Sequence, residues 1–73
     1  MTLVEHLPPV LARARRAGLG QESAEDTALR VLVQFHRRTG PPWLLRVDDR
    51  VRLDVLTALA IIRRRREDRT AQP

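Results

Sequence analysis

The chain contains no cysteine, which excludes disulfides and thiolate metal sites. A domain of 73 residues must then be held by packing or by a partner. Lysine is also missing, so all 14 basic residues are arginine, a bias of the kind a GC-rich genome produces. No apolar run approaches the roughly 20 residues that a membrane-spanning helix needs. The N-terminus has no charged segment followed by an uninterrupted apolar core, so a cytoplasmic protein is expected. Hydroxyls are few: Thr2, Ser23, Thr27, Thr39, Thr57 and Thr70. His6 and His36 fall on different predicted helices, with no paired carboxylate nearby. No nucleophile–base set can be assembled from these groups, and the three glycines do not match a phosphate loop. An enzyme is not expected. Nor are catalytic residues, metal ligands, a cofactor or a small-molecule substrate.

What the chain does have is positive charge. Its 14 arginines against nine acids give a formal net charge of +5. Arginine forks suit phosphates and carboxylates, which makes nucleic acid or an acidic protein face the natural partner class. The plainer reading is that acids offset much of the charge and the arginines solubilise the surface.

The organising stretch runs from Trp43 to Arg66, the longest segment free of glycine and proline. Leu44, Val47, Val51, Val55, Leu59 and Ile62 recur every three or four residues, the spacing of one helical stripe. Leu53, Leu56, Ala60 and Ile61 widen it in the second half. Four consecutive arginines, Arg63, Arg64, Arg65 and Arg66, close the helix where positive charge suits the macrodipole. Asp48 and Asp49 could act as a cap within the stretch and split off Trp43 to Val47 as a separate turn.

Earlier segments read as cover for this helix. Thr2 to Ala17 predicts a first helix with Leu3, Leu7, Val10, Leu11 and Ala14 on one face, ended by Gly18 at positive φ. Pro8 and Pro9 imply either a helix start near Pro8 or a short N-terminal turn kinking into the helix; the second is preferred. Arg13, Arg15 and Arg16 are expected away from the core or at its edge. Ser23 reads as the N-cap of a second helix, with Glu25 and Asp26 in its acidic first turn. That helix runs to about Arg38, burying Ala28, Leu29, Val31, Leu32 and Phe35, with His36 on its solvent side. Thr39-Gly40-Pro41-Pro42 is the clearest break, Gly40 ending the second helix and Trp43 expected to pack over the junction. Asp48, Asp49 and Asp54 are candidates for a hard cation, but Arg46, Arg50 and Arg52 lie among them and are expected to pair with them.

The expected fold is all-α, a small antiparallel bundle of three to four helices. One domain spans residues 1–69, with a frayed tail over 70–73. The expected core includes Leu11, Leu29, Leu32, Phe35, Val47, Val51, Val55, Leu59 and Ile62.

Taken together, residues 3–69 resemble region 2 of extracytoplasmic-function sigma factors, the promoter-opening subunits of bacterial RNA polymerase. The resemblance lies in the order and spacing of four features. These are Leu7 to Arg16 in the first helix, Ala24-Glu25-Asp26 at a helix start, Trp43-Leu44-Leu45-Arg46-Val47 followed by Leu53-Asp54, and the arginine tract. It implies a helical module whose second helix meets a coiled coil of the polymerase's largest subunit and whose last helix meets promoter DNA. Leu29 and Arg30 stand where the family usually carries a glutamine–acid pair, and Asp48-Asp49-Arg50 stand where it carries a small residue, arginine and asparagine. Carboxylates there would repel phosphates.

Two functions follow as expectations. One is a degenerate, stand-alone sigma-region-2-like module acting in transcription regulation through RNA polymerase, an anti-sigma partner or DNA. Its nucleic-acid-binding residues would be Arg46, Arg50, Arg63, Arg64, Arg65 and Arg66, and its protein-binding residues Glu25, Asp26, Arg30 and Arg37. The other is a helical protein–protein interaction subunit with no nucleic-acid role. A single basic surface joining Arg63–Arg66 to Arg46, Arg50 and Arg52 favours the first; interleaved Asp–Arg pairs favour the second.

Overall fold

Helix formation begins despite two prolines. A computed structural model describes residues 3–70 and places Pro8 and Pro9 inside one continuous helix, α1 (Leu3–Arg16). Each proline removes one backbone donor, which leaves the carbonyls of Val4 and Glu5 without their helical partners. Both of those residues are exposed, so water can take the missing bonds. The chain neither starts its helix at Pro8 nor requires a separate turn before it.

Three more helices follow: α2 (Gln21–Arg37), α3 (Pro42–Leu45) and α4 (Asp49–Thr70). Among the described residues there is no strand, and the helices pack as a small all-α bundle. Gly18 takes φ of 97° and ends α1 as its sequence position predicts. The N-cap of α2 is Gly20 rather than Ser23, because the extended Gly20 supplies the carbonyl that accepts the Ala24 N–H at 2.8 Å. Ser23 lies inside the helix, and its hydroxyl donates to Asp68 Oδ2 at 3.1 Å.

The end of α2 also comes two residues earlier than Gly40. Arg38 adopts the left-handed conformation at φ 54°, its N–H reaching Phe35 O and the Thr39 N–H reaching Gln34 O. This closure satisfies carbonyls that a helix end leaves orphaned. Gly40, at φ 139°, then serves the loop, where a Cβ would lie 3.2 Å from Leu44 Cδ2. The long Trp43–Arg66 stretch is split at Asp48, whose Oδ1 accepts the Arg50 N–H at 3.1 Å and whose carbonyl accepts the Arg52 N–H at 2.9 Å. Trp43 does not pack over the junction; its side is 57% exposed, and Leu44 beside it is fully buried instead.

The central helix is α2, which packs on both α1 and α4 while those two meet each other far less. It runs antiparallel to both neighbours. Ser23, Asp26 and Phe35 lie beside Asp68, Arg64 and Arg52 of α4, and His6 of α1 meets the Phe35 ring edge-on at 5.2 Å. One apolar cluster joins Val10, Ala28, Val31, Leu44 and Leu56; a second joins Ala14, Leu19, Ala24 and Ile61. Ala14, Ala24 and Ala28 are wholly buried, and such small side chains let helix axes approach closely.

Within α4 the buried stripe differs from the expected one. Arg52, Leu56, Thr57 and Ile61 face inward, with Leu53 and Ala60 half-buried at their side. Val51, Leu59 and Ile62 face outward, and so does Leu29 on α2. Leu11, Phe35, Val47 and Val55 are half-buried against the core, and Leu32 is buried. Thr70 is the last residue of α4, its hydroxyl bonded to the carbonyls of Arg66 and Glu67. Thr2, the expected start of α1, and residues 71–73 lie outside the described residues, as does the side chain of Leu3.

Candidate interaction surface

The inner face of α4 is built around a buried arginine. Arg52 occupies the same row as Leu56 and Ala60, since residues four apart share a helix face. Only 2% of it is exposed. Its Nη1 donates to Phe35 O at 2.8 Å, its Nη2 to Asp49 Oδ1 at 3.3 Å, and its guanidinium lies 4.1 Å from the centroid of the Phe35 ring. A cation at the C-terminus of α2 meets the negative end of that helix's dipole, and one carbonyl of its open last turn gains a charged donor. Arg52 is therefore spent on structure and unavailable to a ligand.

Other acids and arginines pair across the helices. Arg13 of α1 bonds the carboxylate of Asp54 on α4. Arg64 of α4 reaches Asp26 of α2 at 2.8 Å, and its Nε lies 3.2 Å from Asp68 Oδ1 without the geometry of a hydrogen bond. Arg30 shares Asp26 at 3.4 Å, and Arg38 lies 3.8 Å from Asp49. Of the expected pairing of Arg46, Arg50 and Arg52 with Asp48, Asp49 and Asp54, only Arg52–Asp49 forms; Asp54 is taken by Arg13, Asp49 also lies near Arg38, and Arg46 and Arg50 make no ion pair among the described residues. Asp48 serves as a helix cap, and no cluster of three or more metal-ligating side chains occurs among the described residues.

The candidate nucleic-acid residues are not gathered on one side. Consecutive helical residues are rotated by about 100°, so Arg63, Arg64, Arg65 and Arg66 fan around the axis. Arg64 points inward and is partly buried, while Arg63, Arg65 and Arg66 are exposed. Arg50 sits in the first turn of α4, roughly 20 Å along the axis from Arg63 at 1.5 Å per residue. Arg46 follows α3 as its C-cap. Of the candidate protein-binding residues, Glu25 and Arg37 are exposed on α2, whereas Asp26 and Arg30 are engaged with each other.

The outer face of α4 carries what the sequence reading assigned to the core. Val51 is 46% exposed, Leu59 53% and Ile62 52%. With Val55 and Ala58 between them, half-buried, they form an apolar stripe at spacings of three and four residues. At the edge of this stripe a cleft of about 280 Å³ opens between α2 and α4, lined by Thr27, Arg30, Gln34, Leu59, Arg63 and Arg64 among others. Among the described residues no helix is long and apolar enough to cross a membrane. Arg52 and the outer stripe are the features that sequence reasoning missed. The signal for Arg52 was its register with Leu56 and Ala60, which places a cation on an apolar row.

Comparison of the chain with protein-family models, curated proteins and solved structures finds no match.

Proposed function

We propose that this protein is a helical protein–protein interaction module whose contact surface is the outer face of α4. The observation that carries this reading is the stripe Val51–Leu59–Ile62, half exposed on the longest helix. The other helices cover the opposite side of α4, so apolar surface that could have stabilised the core is turned to solvent. Its removal from water is worth about 25 cal/mol per Å², and contiguous exposed apolar surface marks docking sites. Interleaved Asp–Arg pairs add weight, because they use Arg13, Arg52 and Arg64 internally. The test is affinity capture from the native host with tagged wild type and with Leu59→Arg/Ile62→Arg, followed by titration of each purified candidate and of an untagged copy of the chain. Binding to at least one of them, lost in the double variant while helicity by circular dichroism persists, is expected. Equal binding by both proteins would retire the reading.

A second reading keeps the sigma-region-2-like role in transcription. It is favoured by Arg46, Arg50, Arg63, Arg65 and Arg66, which have no carboxylate within ion-pair distance among the described residues. If these bind duplex DNA, each phosphate contact contributes a slope of about −0.9 in log K against log salt. Replacing Arg63–Arg66 with alanine then flattens the slope by several units. For a polymerase or anti-sigma partner, Glu25→Arg with Asp26→Arg is expected to abolish retention while helicity persists. Absence of both DNA and polymerase binding at low salt removes this reading.

A further inference from the structure

We infer that the occupant of the outer α4 face is a second copy of this chain, paired antiparallel through α4; the inference rests on the docking surface proposed above. The argument is charge complementarity along the helix. At its N-terminal end lie Asp48, Asp49 and Asp54 with one exposed arginine, Arg50, and Asp49 is turned toward Arg52 and Arg38; past its middle the exposed charges are Arg63, Arg65, Arg66 and Arg69 against Glu67 alone. A parallel pair would set arginine tract against arginine tract. An antiparallel pair sets the acidic end of each copy against the basic end of the other, and opposes the two helix dipoles favourably.

The apolar residues agree with that orientation. With the two-fold axis at Leu59, each Leu59 meets its own counterpart and each Val55 meets Ile62 of the second copy. This is the isologous geometry of a two-fold dimer, with the stripe acting as a coiled-coil-like seam. Eleven residues separate Asp54 from Arg65, close to three full turns, so both lie on the same flank of the stripe. In antiparallel pairing the same flanks meet, which brings Asp54 of one copy to Arg65 of the other. Asp54 already contacts Arg13, yet its side chain stays 67% exposed and can accept a second partner. Arg65 has no carboxylate partner among the described residues.

Sedimentation equilibrium of the full chain, from micromolar to hundreds of micromolar, is expected to show a monomer–dimer equilibrium. Leu59→Arg should raise the dissociation constant by about thirtyfold or more, the effect of losing an interface hot spot. Asp54→Arg and Arg65→Asp should each weaken self-association at low salt, and an equimolar mixture of the two should restore it. Melting curves on each variant show whether Asp54→Arg, which also loses its contact with Arg13, remains folded; Arg65→Asp carries the charge test if it does not. Because the native chain has no cysteine, single cysteines report orientation directly. Under mild oxidation Leu59→Cys should form a linked dimer, whereas Val51→Cys should not, its two copies lying about 24 Å apart along the axis at 1.5 Å per residue. A chain that stays monomeric at the highest concentration, or that links equally well through Val51→Cys, overturns the antiparallel pairing. In that event, loss of a purified partner on Leu59→Arg/Ile62→Arg leaves the docking surface standing, and no loss removes both.

Discussion

On the inner face of α4, Leu56 and Ile61 lie against α1 and α2 at 6% exposure each; on the outer face, Leu59 and Ile62 are 53% and 52% exposed. The two faces belong to one helix and differ little in side-chain volume or hydrophobicity. What separates them is polar chemistry. The inner face holds Arg52 and Arg64, whose guanidinium groups find acceptors on α2 in Phe35 O and Asp26. The outer arginines find none among the described residues. Apolar content makes either face of α4 able to be buried; the position of matching hydrogen-bond partners decides which one is.

The largest expected effect that tests this contrast comes from a leucine pair. Leu56→Ala should cost about 2–5 kcal/mol in a denaturant titration, the usual range for a buried leucine. Leu59→Ala, measured at concentrations where the chain is monomeric, should change stability by less than about 0.5 kcal/mol. At high concentration the Leu59 variant should lose stability as well, because self-association stabilises the folded state by mass action. Equal losses from the two variants in the monomer would place both leucines in one core.

Next come the arginines at the start of α4. Arg52→Ala removes a buried charged donor from Phe35 O and should cost about 1.5–3 kcal/mol, whereas Arg50→Ala should leave the melting temperature nearly unchanged. Smallest is the effect within the arginine tract. Arg64→Ala should cost up to about 1 kcal/mol, the scale of partly exposed ion pairs, and that loss should shrink as salt is added. Arg65→Ala should be neutral in the dilute monomer. A salt-independent penalty at Arg65 would mean that its side chain, too, has an internal partner.

Much of the fold could be read from the sequence, because helix boundaries are written in local chemistry. Gly18 marks the end of α1, the Thr39–Pro42 segment marks the break after α2, and Asp48 supplies the cap that separates α3 from α4. The inner side of α4 could not be read this way. Val51, Val55, Leu59 and Ile62 form one acceptable stripe, and Leu53, Leu56, Ala60 and Ile61 form another. Helical spacing weighs the two equally, and Arg52 argues against the second until Phe35 O and Asp49 are known to receive it. Leu29 failed for a related reason: the buried rows of α2 run through Ala24, Thr27, Ala28, Val31 and Leu32, and Leu29 falls on the remaining, exposed side. Of the candidate partner residues, the arginines were identifiable as charges, but whether Arg64 was free or paired depended on Asp26, a carboxylate 38 positions away in sequence.

The bond from Arg52 to Phe35 O also governs how the molecule opens. Without it Phe35 O keeps only the Arg38 N–H at 3.3 Å, so the last turn of α2 is held more weakly when α4 is not in place. The amide hydrogens of Arg38 and Thr39, which close α2 onto Phe35 and Gln34, should accordingly exchange with deuterated solvent through the same opening that releases α4, not through fraying of their own. Residues separated by a loop and a helical turn thus become one cooperative unit, and a fragment ending before Asp49 should not retain the α1–α2 hairpin as a stable fold.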